Sequence, residues 1–83
     1  MKKQILTISE LKEFGFQEKQ GDTLEDGGFY RWWVLYKNDC ELHITHQYHK
    51  NKKFETGYVE FNGETLKGRE LTANDVKFLI ELM

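Results

Sequence analysis

The 83-residue chain contains no proline, a single cysteine and no long run of apolar residues. Cys40 alone cannot form an intramolecular disulfide or supply the cysteine pair of a zinc ribbon, which favours a reducing, cytoplasmic setting. The apolar stretch near the start is interrupted by Thr7, Ser9 and Glu10, so it fits neither a signal peptide nor a membrane span. We therefore expect one cytoplasmic domain, residues 1–83, without a membrane segment.

An excess of positive charge is also missing, because 12 Lys and Arg stand against 14 Asp and Glu. General binding to DNA or RNA calls for a basic stripe, which this chain lacks. The basic run 49–53 and the acidic run 18–26 are typical of solvated turns. Paired carboxylates, a P-loop and a nucleophile elbow are absent from the sequence, so we expect neither an enzyme nor a cofactor-binding protein.

The two ends of the chain carry matching signals for the start of a helix. Thr7 and Thr72 can each act as an N-cap, and an acidic residue, Glu10 or Asp75, follows three positions later. Gly15 is placed to end the first helix, which we expect over about residues 8–14. The last helix is expected to bury a stripe of Val76, Leu79, Ile80 and Met83, widened by Phe78 and Leu82.

Three turn signals divide the middle of the chain into strands: Asn38-Asp39, Asn51-Lys52 and Asn62-Gly63. Taken as two-residue turns, they place Trp33 opposite Ile44 and Ile44 opposite Val59. One face of the sheet then collects nine apolar residues: Phe29, Trp33, Leu35, Cys40, Leu42, Ile44, Val59, Phe61 and Leu66. The sequence therefore predicts an α+β domain: an antiparallel meander of four strands, or five if residues 16–20 pair as well, with a short N-terminal and a C-terminal helix on one face.

The opposite face of this sheet is rich in aromatic residues, and two helices cannot cover both faces. An exposed aromatic patch indicates a binding surface, here composed of Tyr30, Trp32, Tyr36, His43, Phe54 and Tyr58. A second copy of the chain, another protein partner, or the loop at 21–28 can also cover these rings, and self-association is the first of these alternatives. We expect a non-catalytic protein-binding or self-associating domain, with a nucleic-acid accessory protein using the 50–53 turn as one alternative.

The three histidines resemble a metal tract when they are read only as letters. On a strand, however, His43 and His46 point to opposite faces, and His43 and His49 are roughly 20 Å apart, too far to share one zinc ion. His46 is expected opposite Arg31 and beside Gly57, which would leave space above the sheet. A small-molecule or anion pocket at Arg31 and His46 is therefore a second alternative, against a simple sheet edge where the core meets water.

The segment Leu11-Lys12-Glu13-Phe14-Gly15-Phe16, followed by aromatic strands and a closing helix, resembles small uncharacterised bacterial proteins. Many of these belong to mobile elements and phage-related regions, where an L-x-x-x-G-F start is frequent. The resemblance covers the layout of the chain and implies no catalytic residues. It implies a small protein that acts by binding a larger one.

Overall fold

The computed structural model describes residues 5–67 and 71–83, which form a five-stranded antiparallel sheet and two helices. In chain order the elements are α1 (Ile8–Glu13), β1 (Gln17–Lys19), β2 (Phe29–Lys37), β3 (Cys40–Tyr48), β4 (Phe54–Phe61), β5 (Glu64–Thr65) and α2 (Ala73–Leu82). Each strand pairs with its neighbour in the chain, giving the order β1-β2-β3-β4-β5. The predicted α+β meander is confirmed, and the segment 16–20 supplies its first strand.

Both helices begin with the predicted capping box. The Thr7 hydroxyl accepts the Glu10 N–H at 3.1 Å, and the Glu10 carboxylate accepts the Thr7 N–H at 3.0 Å. Thr72 and Asp75 make the same pair of bonds at the start of α2. Gly15 ends α1 with a φ of +92°, a conformation that glycine adopts without strain. Since helices of six and ten residues are marginal in isolation, packing on the sheet must hold them.

Two of the three predicted turns have the expected form. Asn38 and Asp39 have φ values of 50° and 63°, and Asn62 and Gly63 have φ values of 50° and 86°. Two consecutive positive φ angles define the turn that matches the twist of a hairpin. These turns set the register that the sequence predicts, with Trp33 opposite Ile44 and Ile44 opposite Val59.

The prediction of a two-residue turn at Asn51-Lys52 is wrong. The His49 N–H donates to the Lys53 carbonyl oxygen at 2.8 Å, which leaves a three-residue loop, and in this loop only Lys52 has a positive φ, 72°. A lysine and an asparagine in succession would otherwise both have to adopt a strained conformation. The register shifts by one residue beside Gln47, so the inner pairs keep their predicted partners while Tyr48 faces Phe54.

Both helices pack on one face of the sheet, which we call the helix face; the other is the open face. Among residues 5–67 and 71–83, the main core cluster on the helix face consists of nine buried hydrophobic residues: Leu6, Leu11, Phe16, Trp33, Leu42, Ile44, Val59, Val76 and Met83. Burying one such large side chain contributes about 1.5–3 kcal/mol, so this cluster is the main source of stability. Among the described residues, no helix is long and apolar enough to cross a membrane.

The expected stripe of α2 is only partly correct. Val76 and Met83 are buried, and Leu79 and Ile80 pack against the core. Phe78 and Leu82, however, are 60% and 62% exposed, so the prediction that they widen the buried stripe is wrong. The reason is angular: at 3.6 residues per turn, Phe78 lies about 200° around the helix from Val76.

Candidate functional site

The open face is formed by alternate residues of the strands, because successive side chains point to opposite sides of a sheet. The aromatic side chains that occupy this face are Tyr30, Trp32 and Tyr36 from β2, His43 from β3 and Tyr58 from β4. These are five of the six residues that the sequence predicts for an aromatic binding surface. The structure thus brings together the proposed surface, on the side of the sheet away from α1 and α2.

The centre of the open face is a fixed stack of two rings. Trp32 and His43 lie nearly parallel, with ring centroids 5.4 Å apart and an interplanar angle of 6°. The indole Nε1 of Trp32 donates to the Gln20 carbonyl oxygen at 3.1 Å. On the other side, His43 Nε2 lies 3.5 Å from Glu41 Oε1. The two rings are therefore held in place before any partner arrives.

The middle of the open face is less exposed to solvent than its number of aromatic residues suggests. Val34 is fully buried and Thr45 is 6% exposed, although neither belongs to the core under the helices. Neighbouring side chains of the same face must therefore close over the middle of the sheet. Tyr36, by contrast, is 61% exposed at the end of β2. The accessible aromatic surface is concentrated at this end.

Phe54 does not belong to the open face, so its predicted placement there is wrong. The register shift turns Phe54 to the helix face, where its ring centroid lies 5.5 Å from that of His46 and 6.0 Å from that of Tyr48. The sequence signal for this shift is Asn51, whose side chain accepts the Lys53 N–H at 3.0 Å and stabilises the longer loop. An Asn that can bond the main chain two residues later therefore favours the three-residue loop over the two-residue turn that the Asn-Lys pair suggests.

Arg31 lies opposite His46, as the sequence predicts, but its charge is already compensated. Its Nε and Nη2 each donate to a carboxylate oxygen of Glu18 at 2.9 Å, in the two-pronged arrangement that guanidinium and carboxylate favour. The guanidinium carbon also lies 5.2 Å from the ring centroid of Trp33. Glu18 was not singled out from the sequence, because its position depends on the pairing of β1 with β2.

His46 is fully buried in an aromatic cluster on the helix face. Its ring centroid is 4.9 Å from that of Trp33, and the Tyr48 hydroxyl lies 3.4 Å from its Nδ1. Within the described part of the chain, His46 Nε2 has no hydrogen-bond partner. Burial, with a contribution from the positive charge of Arg31, lowers the pKa of His46 to about 4. The imidazole is therefore neutral at pH 7.

The space expected above Gly57 is filled. A methyl group added at Gly57 would lie 3.4 Å from atoms of both the His46 and the Phe54 ring. With a neutral His46 and Arg31 bound to Glu18, the side chains expected to hold an anion have neither free charge nor room for one. The geometry thus does not support an anion pocket at this position.

The remaining candidate groups are separated by the fold. His43 and His46 lie on opposite faces, as their positions on β3 require. Within residues 5–67 and 71–83, no three His, Cys, Asp or Glu side chains form a group that could hold a metal ion. In the basic turn, Lys50 packs its methylene groups near Gly27, and Lys50 and Asp26 line one shallow groove. The loop 22–26, which we call the acidic loop, therefore lies beside part of the basic turn.

Comparison with known proteins identifies no relative. No protein-family model matches the chain, and neither a curated protein nor a solved structure matches it. The class of protein must therefore be argued from the sheet and its side chains alone.

Proposed function

We propose that this chain is a non-catalytic, cytoplasmic binding domain that engages another protein chain through its open face. The observation that carries this proposal is the ordered aromatic surface opposite both helices, with Tyr36 61% exposed at its end. The single Cys40, a free thiol, agrees with a reducing compartment. The resemblance to small mobile-element proteins also fits a domain that acts by binding a larger protein.

Rigid aromatic side chains are the residues that protein interfaces use most. Tyrosine and tryptophan bury a large area and have few rotatable bonds, so ordering them on binding costs little entropy. Here Trp32 and His43 are already stacked at 5.4 Å, and Trp32 is already hydrogen-bonded to Gln20. A partner would therefore meet a surface whose central rings need no rearrangement.

The charges of the open face favour a protein over a nucleic acid. Glu41 and Glu60 lie on this face, next to Tyr36 and His43 respectively. Among the described strand residues, Lys19 is the only Lys or Arg on the same face. Phosphate groups would meet carboxylates here, whereas nucleic-acid binding depends on neutralising phosphates with basic side chains. A second copy of the chain is one form of the proposed protein partner.

Photo-crosslinking in the native cells tests this proposal. The full chain is produced with p-benzoylphenylalanine at position 36 or 58, and in the matched control at position 78. Tyr36 and Phe78 are aromatic and equally exposed, 61% and 60%, but they lie on opposite sides of the domain. We expect a covalent adduct of defined mass from positions 36 and 58, and no such adduct from position 78.

The mass of the adduct identifies the form of the partner. Since the chain has a mass of 10.0 kDa, self-association gives an adduct of twice that value, and a different partner gives another mass. The proposal is wrong if positions 36 and 58 yield no adduct, or if position 78 yields the same one.

A further inference from the structure

The end of the open face beside the β2–β3 turn combines an exposed ring with several acidic side chains. Tyr36 is paired directly with Glu41, and Glu60 lies opposite His43 on the next strand. Asp39 occupies the turn itself. We refer to Tyr36, Asp39, Glu41 and Glu60 as the acidic end. Among the described residues, one ion pair within 4.0 Å involves the acidic end, and it is the contact of Glu41 with His43.

A groove of about 580 Å³ lies at the acidic end, lined by Tyr36, Asp39 and Glu41 together with Asn62 and other turn residues. Its floor is fixed by two hydrogen bonds between Glu41 and Asn62: the Glu41 N–H donates to the side-chain Oδ1 of Asn62 at 2.8 Å, and the Asn62 N–H donates to the Glu41 carbonyl oxygen at 2.9 Å. The Glu41 side chain takes no part in these two bonds and is 42% exposed. Its Oε1 lies 3.5 Å from His43 Nε2, so Oε2 is the carboxylate oxygen that remains available to a ligand.

Of the described residues, the one lysine that lines this groove is directed elsewhere. Lys37 extends toward α2, where its Nζ donates to the Ile80 carbonyl oxygen at 3.2 Å. Its ammonium group is therefore held on the side of the helices. Lys19, the basic strand residue of the open face, lies opposite Trp32, which is four residues along β2 from Tyr36. On the side of the open face, the groove therefore presents the carboxylate of Glu41, with Asp39 in the adjoining turn.

An aromatic ring beside carboxylates matches the chemistry of arginine. A guanidinium is planar, stacks on aromatic rings and binds carboxylates through two parallel hydrogen bonds. We propose that the acidic end receives an arginine side chain of the protein that the open face binds. This assignment rests on the proposed function and names the chemistry of the partner: a segment that presents arginine and no cluster of acidic residues.

Titration of the ¹⁵N-labelled full chain with tetra-arginine amide, followed by NMR, tests the assignment. We expect amide shifts concentrated in residues 36–43 and 60–62. The variant E41Q/E60Q keeps the shape of both side chains and the main-chain bonds to Asn62, and should bind the peptide about tenfold more weakly. The matched control E13Q/E25Q removes the same charge from α1 and the acidic loop, and should bind within twofold of the native chain.

Two results would overturn the arginine assignment: shifts centred on the acidic loop at 22–26, or equal binding by E41Q/E60Q and the native chain. Crosslinking from position 36 in the E41Q/E60Q variant distinguishes a failure of the arginine assignment from a failure of the proposed function. If the adduct forms undiminished, the open face binds its partner without arginine, and only the assignment fails. If the chain with native carboxylates gives no adduct from positions 36 and 58, the proposed function fails instead.

Discussion

Acidification should destabilise this domain through one buried histidine. His46 is fully buried between aromatic rings, and its pKa is lowered to about 4 from 6.5. Between these two values the unfolded chain binds a proton that the folded chain excludes. The contribution of neutral His46 to the free energy of unfolding is therefore complete above pH 6.5 and is lost as the pH falls toward 4.

The magnitude follows from the same two pKa values. A shift of one unit corresponds to about 1.4 kcal/mol, so the complete loss is about 3 kcal/mol, of which about 2 kcal/mol is reached at pH 5. For a domain of this size, a loss of that amount lowers the melting temperature by roughly 8–16 °C. It is a large fraction of the roughly 4–12 kcal/mol that small domains possess.

Urea unfolding followed by tryptophan fluorescence at pH 7, 6 and 5 measures this loss. The variant H46F fills a similar volume without a titratable group, and H46Q serves the same purpose if H46F folds poorly. The control H49Q removes a histidine whose side chain is 53% exposed and should keep the native pH dependence. Carboxylates contribute equally to all variants, so the difference isolates His46.

If H46F and the native chain lose the same free energy of unfolding between pH 7 and 5, the reasoning is refuted. Proton NMR gives an independent reading, since the His46 ring should stay neutral at pH 5.5. A ring that titrates near 6.5 would mean that the folded protein stabilises the charged imidazole in some other way.

Three further expectations concern stability and are measured by the same unfolding assay. Gly21→Ala should cost roughly 2–3 kcal/mol, since the added Cβ would overlap the main-chain carbonyl oxygen of Tyr30. Gly63→Ala should cost only about 1 kcal/mol, because its φ is +86° but no atom lies within 4 Å. Equal losses would contradict this contrast. Phe78→Ser should change stability by less than about 0.5 kcal/mol, while Leu42→Ala should cost roughly 2–5 kcal/mol. A large loss at Phe78 would show that its ring is packed in solution. Thr72→Ala should cost about 1 kcal/mol by removing a cap of α2, and an unchanged stability would mean that packing alone sets the start of the helix.

The sequence predicts most of the fold because its strongest signals are local. The capping boxes of Thr7 and Thr72 and the turns at Asn38-Asp39 and Asn62-Gly63 each depend on residues that touch one another. Alternation of apolar residues then fixes which face is buried, since a one-residue slip would expose the core. These constraints agree with one another, and the inner register is correct as a result.

The parts that could not be predicted depend on offsets between elements. The three-residue loop at 50–52 and the bulge beside Gln47 shift the register in opposite directions. The inner pairs of β3 and β4 therefore keep their predicted partners, and the changed face of Phe54 is the visible effect. The pairing of Glu18 with Arg31 needs the register of a strand only three residues long. On α2, Val76 is buried and Phe78 is exposed although both are hydrophobic. The side of the helix that docks on the sheet decides between them, and hydrophobicity alone does not show which side that is.

The meander order of the sheet also has a kinetic consequence. Since every strand pairs with its neighbour in the chain, hairpins can close over short loops, and little entropy is lost before contacts form. The chain contains no proline, so the slow isomerisation that delays many refolding reactions by tens of seconds has no site here. Refolding should therefore finish in a single fast phase, and the rings of the open face become available to a partner as soon as the core forms.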